Sequence, residues 1–565
     1  MKEAIYFHDN TVILNYSKKY IKDSVDLLSS EGFYQYLTRF LEDLHYYHHD
    51  LYLWCVECSK EEKVEDHLVH LIKQLLVLDL DMIQDKMLEK KENLLAVIEE
   101  GYNYWRHLQR YSFLYTHNEE GFQLQNFIDA DSAMNSLVLN FYRTLEEKVQ
   151  GNKNKVYRQL QAGTNASILL EYYTPYKIDG YEALYEVPYI NQIMMRTPLI
   201  LHPRSNKRTN MFTKTNHNPL EGFRIENEDW VCYPAKVGRL LVLAYFQRDH
   251  ISSAVAMANL FELATQEEAI KKPDCVMLFG VKENTQDTVY YHDTKNDIWV
   301  GKVSDSKEID YFGYTKKMVL TLHNLAMMEK GWLPIHGAMV NLYLKDGTKK
   351  GLLFMGDSGA GKSETIEALN VLASKLIDHQ EIVFDDMGSV HIDEEGNILA
   401  QGTEIGAFVR LDDLDKGTAY RDMDRSIFFN PEKANARVVL PASSYSIITK
   451  DHPIDCFLYA NNYTDLRGMK LFESIEEALP TFLEGKRNAL GTTQEKGLSS
   501  TFFANPFGPM QEKEKCEELI HTIFKALFEK EIPVGEIYTC LGLEDKGDNG
   551  IEKAAQALLE FVKGQ

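Results

Sequence analysis

The sequence predicts an α/β protein with an additional, mainly helical region at its N-terminal side. In residues 1–180, apolar side chains recur every three or four positions, as they do on one face of a helix. From about residue 185, apolar runs of strand length alternate with helical segments, which is typical of α/β layers. Near the middle of the chain, the apolar run 352–355 leads through a glycine-rich turn into a helical stretch at 363–372.

Length and pattern together suggest three parts. A chain of 565 residues with a hydrophobic fraction of 44% can form two or three domains with sizeable cores. The changes of pattern predict a helical N-terminal region at 1–180 and a smaller α/β domain at 185–330. A second α/β domain, which contains the glycine-rich turn, is predicted at 331–565.

Charge and composition exclude several classes of protein. The chain has 61 Lys and Arg against 85 Asp and Glu, a formal net charge of −24, so we expect no nucleic-acid partner. No apolar run approaches the roughly 20 residues that span a bilayer, and the first residues do not have the form of a signal peptide. Seven cysteines without a framework spacing favour a reduced, cytoplasmic protein. The oligomeric state is left open.

The glycine-rich turn has the full P-loop pattern, between a predicted strand and a predicted helix. Its glycines permit positive φ angles and bring backbone N–H groups close to phosphate oxygens. A lysine at the end of the loop reaches the β- and γ-phosphates, and the next hydroxyl holds a divalent metal. The predicted nucleotide-binding residues are Gly356, Asp357, Ser358, Gly359, Ala360, Gly361, Lys362 and Ser363.

Charged residues at other strand ends and in one loop are further candidates. Asp385 and Asp386 follow the apolar run 382–384, and acids at a strand end after a P-loop suit a second metal-binding element. The segment 202–209 concentrates three cations, Arg204 among them. Such a loop is either simply solvated or, in so acidic a chain, a contact for an anionic substrate.

Several further motifs, in the right order, resemble those of the ATP-dependent phosphoenolpyruvate carboxykinases. In that family a Tyr-x-Gly-x-x-Lys-Lys segment precedes a metal-binding histidine. Tyr311, Gly313, Lys316, Lys317 and His336 match this pattern. The resemblance also takes in the P-loop, the Asp-Asp pair and the segments 406–410 and 436–438, and it extends from about residue 235 onward. The helical N-terminal third has no identified counterpart.

The resemblance implies a role for each matched position. It implies that Lys317, His336 and Asp386 hold Mn²⁺, while Ser363 holds the Mg²⁺ bound to ATP. The implied oxaloacetate or phosphoenolpyruvate site comprises Tyr311, Lys316, Ser358 and Arg437, together with Arg204 from a loosely matching substrate loop. The implied catalytic residues are Lys316, Lys362, Asp385, Arg410 and Arg437. Arg410 stands where the family has a lysine that contacts the γ-phosphate, so the charge is kept.

The identity of the phosphate acceptor stays open at this point. A carboxykinase converts oxaloacetate and ATP to phosphoenolpyruvate, ADP and CO₂. The P-loop itself is closer to that of HPr kinase/phosphorylase, which implies a kinase acting on a protein or small-molecule hydroxyl, with Asp385 or Asp386 as general base. A third alternative is a non-catalytic nucleotide-binding regulator whose helical region contacts other proteins.

Overall fold

The computed structural model confirms a mixed α/β protein with several sheets. It describes residues 3–60, 62–116, 122–158, 160–208, 212–225, 229–283, 287–356, 359–411, 422–490, 496–544 and 546–564. Within these ranges no helix is long and apolar enough to cross a membrane. Contacts divide the chain into two compact units, Met1–Tyr172 with Pro188–Leu199, and Tyr173–Val187 with Ile200–Gln565. The three-part division and its likeness to a carboxykinase stay predictions.

The first unit combines helices with paired β-strands. Its helices pack around a core of leucines and aromatic residues. They are Ser24–Leu28, Glu31–Tyr47, His49–Cys58, Val64–Val77, Lys91–His107 and Phe122–Gln150. The strands are Ile5–His8, Thr11–Asn15, Gln109–Thr116, Ala166–Glu171 and Tyr189–Met195. The sequence did not predict these strands, because Thr11–Asn15 and Ala166–Glu171 are buried throughout and so lack an alternating pattern.

The second unit begins with a mostly apolar sheet. Cys275–Val281 pairs in parallel with both Leu240–Gln247 and Ile298–Ser304. Two antiparallel neighbours, Trp230–Val237 and Thr288–Asp293, flank these strands. The helices of this part of the chain are Ile251–Met257, Gln266–Ala269 and Phe312–Glu329. Nearly every residue of Phe312–Glu329 is buried, including the charged Lys316, so this helix needs an anionic partner.

A second sheet carries the P-loop. The P-loop strand Lys349–Met355 is antiparallel to Leu333–Leu344 and parallel to Cys456–Asn461, which is parallel to Val534–Tyr538. Ligands of open α/β sheets bind beyond the carboxyl ends of parallel strands, and here three such ends meet. The remaining strands are Ile377–Phe384, Met387–Ile392, Ile398–Gly402, His452–Pro453 and Gly468–Leu471. The helices are Lys362–Leu372, Tyr445–Ile448, Ile475–Glu484, Lys513–Glu529 and Gly547–Gly564.

A third, smaller sheet places two arginines opposite each other. Its strands Gly406–Arg410 and Arg437–Pro441 are antiparallel, and the short strand Ile427–Phe429 pairs with the second of them. In this register Arg410 lies directly across from Arg437. Residues directly opposite in an antiparallel pair project on the same face, so both cations are presented together. A separate hairpin pairs Lys486–Leu490 with Lys496–Ser500.

Candidate active site at the P-loop

The P-loop backbone has the conformation that its glycines predict. Gly356, Gly359 and Gly361 have φ angles of 151°, 78° and 88°, which side chains with a Cβ rarely adopt. A Cβ at Gly361 would also lie 2.7 Å from Cβ of Thr539, so this position excludes larger residues for a second reason. Helix Lys362–Leu372 begins directly after the loop. The predicted site residues Asp357 and Ser358 lie outside the described residues.

Lys362 and Ser363 make contacts that hold them at the loop. The buried Lys362 ammonium donates to the carbonyl oxygen of Gly356 at 2.8 Å. The Ser363 hydroxyl donates to Oδ1 of Asp385 at 3.1 Å. Burial raises the pKa of Asp385, and the charge of Lys362 and the Ser363 hydrogen bond oppose this rise. The predicted Lys362, Ser363 and Asp385 are therefore brought together.

Three predicted residues converge on a fourth, Asp386. Its Oδ2 accepts from the ammonium groups of Lys316 at 2.6 Å and Lys317 at 2.7 Å. Its Oδ1 lies 3.0 Å from Nε2 of His336. Burial tends to raise the pKa of Asp386, but the two lysines and His336 hold it well below its usual range. The carboxylate is therefore ionised throughout the physiological range.

Backbone contacts fix the orientation of His336. Its Nδ1 lies 2.8 Å from the carbonyl oxygen of Ala504. A carbonyl only accepts hydrogen bonds, so Nδ1 carries the proton and Nε2 faces the carboxylate of Asp386. Outer contacts of this kind set the tautomer of metal-binding histidines.

Glu404 is a buried carboxylate that the sequence did not reveal. Its Oε1 lies 2.8 Å from the ammonium of Lys316, yet neither carboxyl oxygen has a partner with hydrogen-bond geometry among the described residues. Burial raises the pKa of Glu404. Burial alone would lower the pKa of Lys316, but Asp386 and Glu404 raise it above its ordinary value, so Lys316 remains charged.

The donor set around Asp386 fits a divalent metal. Among the described residues no three His, Cys, Asp or Glu side chains form a metal-binding group, so any metal here would require the predicted lysine. An amine binds a metal only when it is neutral. Burial lowers the pKa of Lys317, and neighbouring Lys316 lowers it further, against the opposing charge of Asp386. Lys317 and His336 thus place one nitrogen each beside the two carboxylate oxygens of Asp386.

Arg437 of the arginine pair lies beside Tyr311 and an aromatic ring. The Arg437 guanidinium is 5.7 Å from the centre of the Phe408 ring, and the Lys316 ammonium is 5.6 Å from it. Burial raises the pKa of Tyr311, whereas the positive charges of Arg437, Arg208 and Lys316 lower it. Nε of Arg437 is buried without a hydrogen-bond partner in the described part of the chain. Concentrated positive charge of this kind favours an anionic ligand.

Arg208 is a second residue that sequence reasoning missed. Its guanidinium lies 4.9 Å from the centre of the Phe507 ring, and Lys317 lies 4.6 Å from the same ring. His336 makes an edge contact with that ring at 6.3 Å between centres. Arg208 therefore belongs to the same cluster. The sequence analysis noted the basic loop 202–209 that contains Arg208, but nothing in the sequence distinguished Arg208 from the other cations of this loop.

Arg204, the predicted substrate residue of that loop, makes different contacts. Its Nη2 donates to Asp305 at 2.8 Å and its Nε donates to Asp310 at 3.0 Å. His250 lies against the same two carboxylates, at 3.1 and 3.4 Å. Two acids thus neutralise Arg204, and the described contacts do not bring it to Asp386 or the P-loop. Its role in substrate binding stays a prediction.

The His250 cluster predicts a pH dependence of stability. The flanking carboxylates outweigh burial and raise the pKa of His250 to about 9. Because the pKa of His250 in the folded protein exceeds its ordinary value of 6.5, protonated His250 stabilises the fold fully below pH 6.5. This stabilisation is lost as the pH rises to 9. We expect the free energy of unfolding to fall by at most about 3 kcal/mol over this window. Denaturant titrations of the parent and of His250→Gln should differ more at pH 6 than at pH 9.5.

A matched control is His379→Gln, because His379 is an exposed histidine that is also paired with an aspartate. This variant should follow the parent at every pH. Parallel stability curves for the parent and His250→Gln would contradict the assignment.

Comparisons with models of known protein families and with curated proteins found no match for this sequence.

Proposed function

We propose that the chain is an ATP-dependent phosphotransferase of the phosphoenolpyruvate carboxykinase type, converting oxaloacetate and ATP to phosphoenolpyruvate, ADP and CO₂. One observation carries the proposal: Lys316, Lys317 and His336 converge on Asp386. The adjacent Asp385 contacts the P-loop serine. A nucleotide-phosphate site and a candidate metal site are thus joined through two consecutive carboxylates.

The donor half of the reaction rests on the P-loop. Phosphoryl transfer is catalysed mainly by positioning and by stabilising charge on the transferred group. Lys362 supplies a fixed cation, and the loop glycines allow backbone N–H groups to approach phosphate oxygens. In the structure Lys362 is bonded to the Gly356 carbonyl, an interaction that it would exchange for a phosphate.

The acceptor half rests on the cations around Tyr311. Burial raises the pKa of Tyr311, and the positive charges of Arg437, Arg208 and buried Lys316 all oppose this rise. Arginines suit planar carboxylates because the guanidinium binds both oxygens. A dicarboxylate acceptor would use these groups, whereas a simple hydroxyl acceptor does not require them.

The residues have separate roles in this scheme. Lys317, His336 and Asp386 would hold Mn²⁺, and Ser363 would hold the Mg²⁺ of the nucleotide. A bound metal supplies positive charge at the oxygen that becomes anionic when the carboxyl group leaves. Arg437 and Arg208 orient the carboxylates, and buried Lys316 keeps its charge to stabilise the enolate oxygen. The γ-phosphoryl group of ATP then transfers to that oxygen, and ADP leaves.

One observation favours a hydroxyl acceptor instead. The pKa of Asp385 is raised by burial, and its carboxylate lies next to Ser363 at the P-loop. A carboxylate with a raised pKa in this place could accept the proton of a hydroxyl, as in a kinase of the HPr kinase type. This alternative uses Asp385 but gives Arg437 no carboxylate of the acceptor to bind.

Replacement of Arg437 tests the acceptor assignment. Arg437→Leu and Arg437→Lys should both lower kcat/KM for oxaloacetate by roughly 100-fold, because lysine keeps the charge but not the two-pronged contact. The KM for ATP should stay unchanged. Arg425→Leu, an exposed arginine of the neighbouring turn, is the control and should match the parent. If Arg437→Lys lowered kcat/KM for ATP and for oxaloacetate by the same factor, a carboxylate-binding role for Arg437 would be contradicted.

A further inference from the structure

The helical unit contains an apolar cavity with a volume of about 140 Å³. Side chains from Glu31–Tyr47, Val64–Val77, Lys91–His107 and Phe122–Gln150 line it. An apolar cavity of roughly 150 Å³ in another protein stays dry and binds benzene. The cavity is therefore large enough for a single aromatic ring.

Aromatic rings form much of the cavity wall. Phe33 and Phe141 meet edge to face with centres 6.0 Å apart, and Tyr36 meets Trp105 in the same way at 5.9 Å. Polar atoms of this wall are already paired. The Tyr36 hydroxyl donates to the carbonyl of Gly101, and the Trp105 indole donates to another carbonyl. Edge and face contacts of this kind favour another aromatic ring as the occupant.

One polar group of the wall is an exception. The hydroxyl of Tyr102 is buried and has no hydrogen-bond partner among the described residues. Its ring is stacked on Tyr142 with centres 3.9 Å apart, and the Tyr142 hydroxyl is bonded to Glu99. A buried hydroxyl without a partner is unfavourable, and a ligand with one polar substituent would satisfy it. Apolar pockets with a single placed polar group select ligands in this way.

We propose that this cavity binds a small monocyclic aromatic compound with one hydrogen-bonding group, of the phenol class. The ring fills the space between the aromatic side chains, and its substituent pairs with the Tyr102 hydroxyl. The site is argued independently of the proposed phosphotransferase activity. It gives the helical unit a ligand-binding role.

The test uses the full chain with phenol, toluene and hexanol as probes. Calorimetric titration should show binding of phenol and toluene, and excess phenol should raise the Tm by several degrees. Tyr102→Phe removes only the hydroxyl, so the affinity for phenol should fall roughly tenfold while that for toluene is unchanged. Unchanged phenol affinity in a folded Tyr102→Phe variant would overturn the assignment of the polar contact.

A pair of filling variants tests the cavity itself. Val138→Phe places a ring in the lining and should abolish binding of both aromatic probes. Val77→Phe makes the same change at a residue that is 81% exposed and should bind as the parent does. Should Val138→Phe not fold, Tyr102→Phe still decides the polar contact. The proposal would be overturned if neither phenol nor toluene bound the folded parent, or if hexanol alone bound.

Discussion

Under the proposed function, replacing Lys362 with alanine is expected to lower ATP turnover by at least roughly 10³-fold, because it removes the P-loop cation that would contact the transferred phosphoryl group. The fold should remain intact. In the structure the Lys362 ammonium donates to the Gly356 carbonyl, and Lys362 is not among the described residues of the apolar core beside helix Lys362–Leu372. The measurement is release of ADP at saturating ATP, with circular dichroism to verify folding.

Lys375→Ala is the matched control, because Lys375 is an exposed lysine shortly after the same helix. It should leave turnover within a factor of two of the parent, since exposed substitutions have small effects. A folded Lys362→Ala variant with parental turnover would remove the P-loop from the mechanism.

Replacing Asp386 with asparagine is expected to affect both catalysis and stability. The substitution keeps the shape but removes the charge on which two ammonium groups and His336 converge. Loss of one partner of a buried ion pair costs about 3–5 kcal/mol. Among the described residues, Glu404 is the acid that would still pair with Lys316. Under the proposal, activity should fall at least roughly 10³-fold.

A measurement of metal binding separates the effect of Asp386→Asn on the candidate metal site from its effect on stability. Titration of Mn²⁺ followed by electron paramagnetic resonance should show an affinity at least about 100-fold lower than in the parent. Asp378→Asn, at an exposed aspartate of a nearby strand, should bind Mn²⁺ as the parent does. Parental Mn²⁺ affinity in folded Asp386→Asn would end the assignment of this metal site, whatever the activity.

The parts of the site that could be predicted are those encoded by short sequence motifs. Gly356 to Ser363 form a local pattern in which each residue type has a conformational or chemical reason. Tyr311, Lys316 and Lys317 share one helix start, and Asp385 and Asp386 follow one strand. Their convergence depends on the sheet that joins them, and only the resemblance to a family suggested it.

Residues that depend on distant partners could not be predicted. Glu404 matters because buried Lys316 lies 2.8 Å from it, although the two are 88 positions apart in sequence (404 − 316). Arg204 and Arg208 belong to the same basic loop. Arg204 forms hydrogen bonds with Asp305 and Asp310, whereas Arg208 lies over the Phe507 ring. No local pattern distinguishes two arginines that differ only in tertiary contacts.

The fold shows the same division between local and distant information. Helices such as Glu31–Tyr47 were predicted because one face is apolar. The strand Thr11–Asn15 was not predicted, because all five residues are buried and the sequence shows no alternation of polar and apolar residues there. The aromatic cavity of the helical unit could not be predicted either, since its lining comes from several helices and from segments near residue 5 and residue 14 that are distant in sequence.

The most direct test of the proposal is the identity of the phosphorylated product. The full chain is incubated with ATP, Mg²⁺, Mn²⁺ and oxaloacetate, and the mixture is followed by phosphorus NMR with a parallel CO₂ measurement. The proposal predicts a phosphoenolpyruvate resonance that grows in step with ADP and CO₂ and is absent without oxaloacetate. ATP consumption that labels a protein or small-molecule hydroxyl, or nucleotide binding without any turnover, would contradict it.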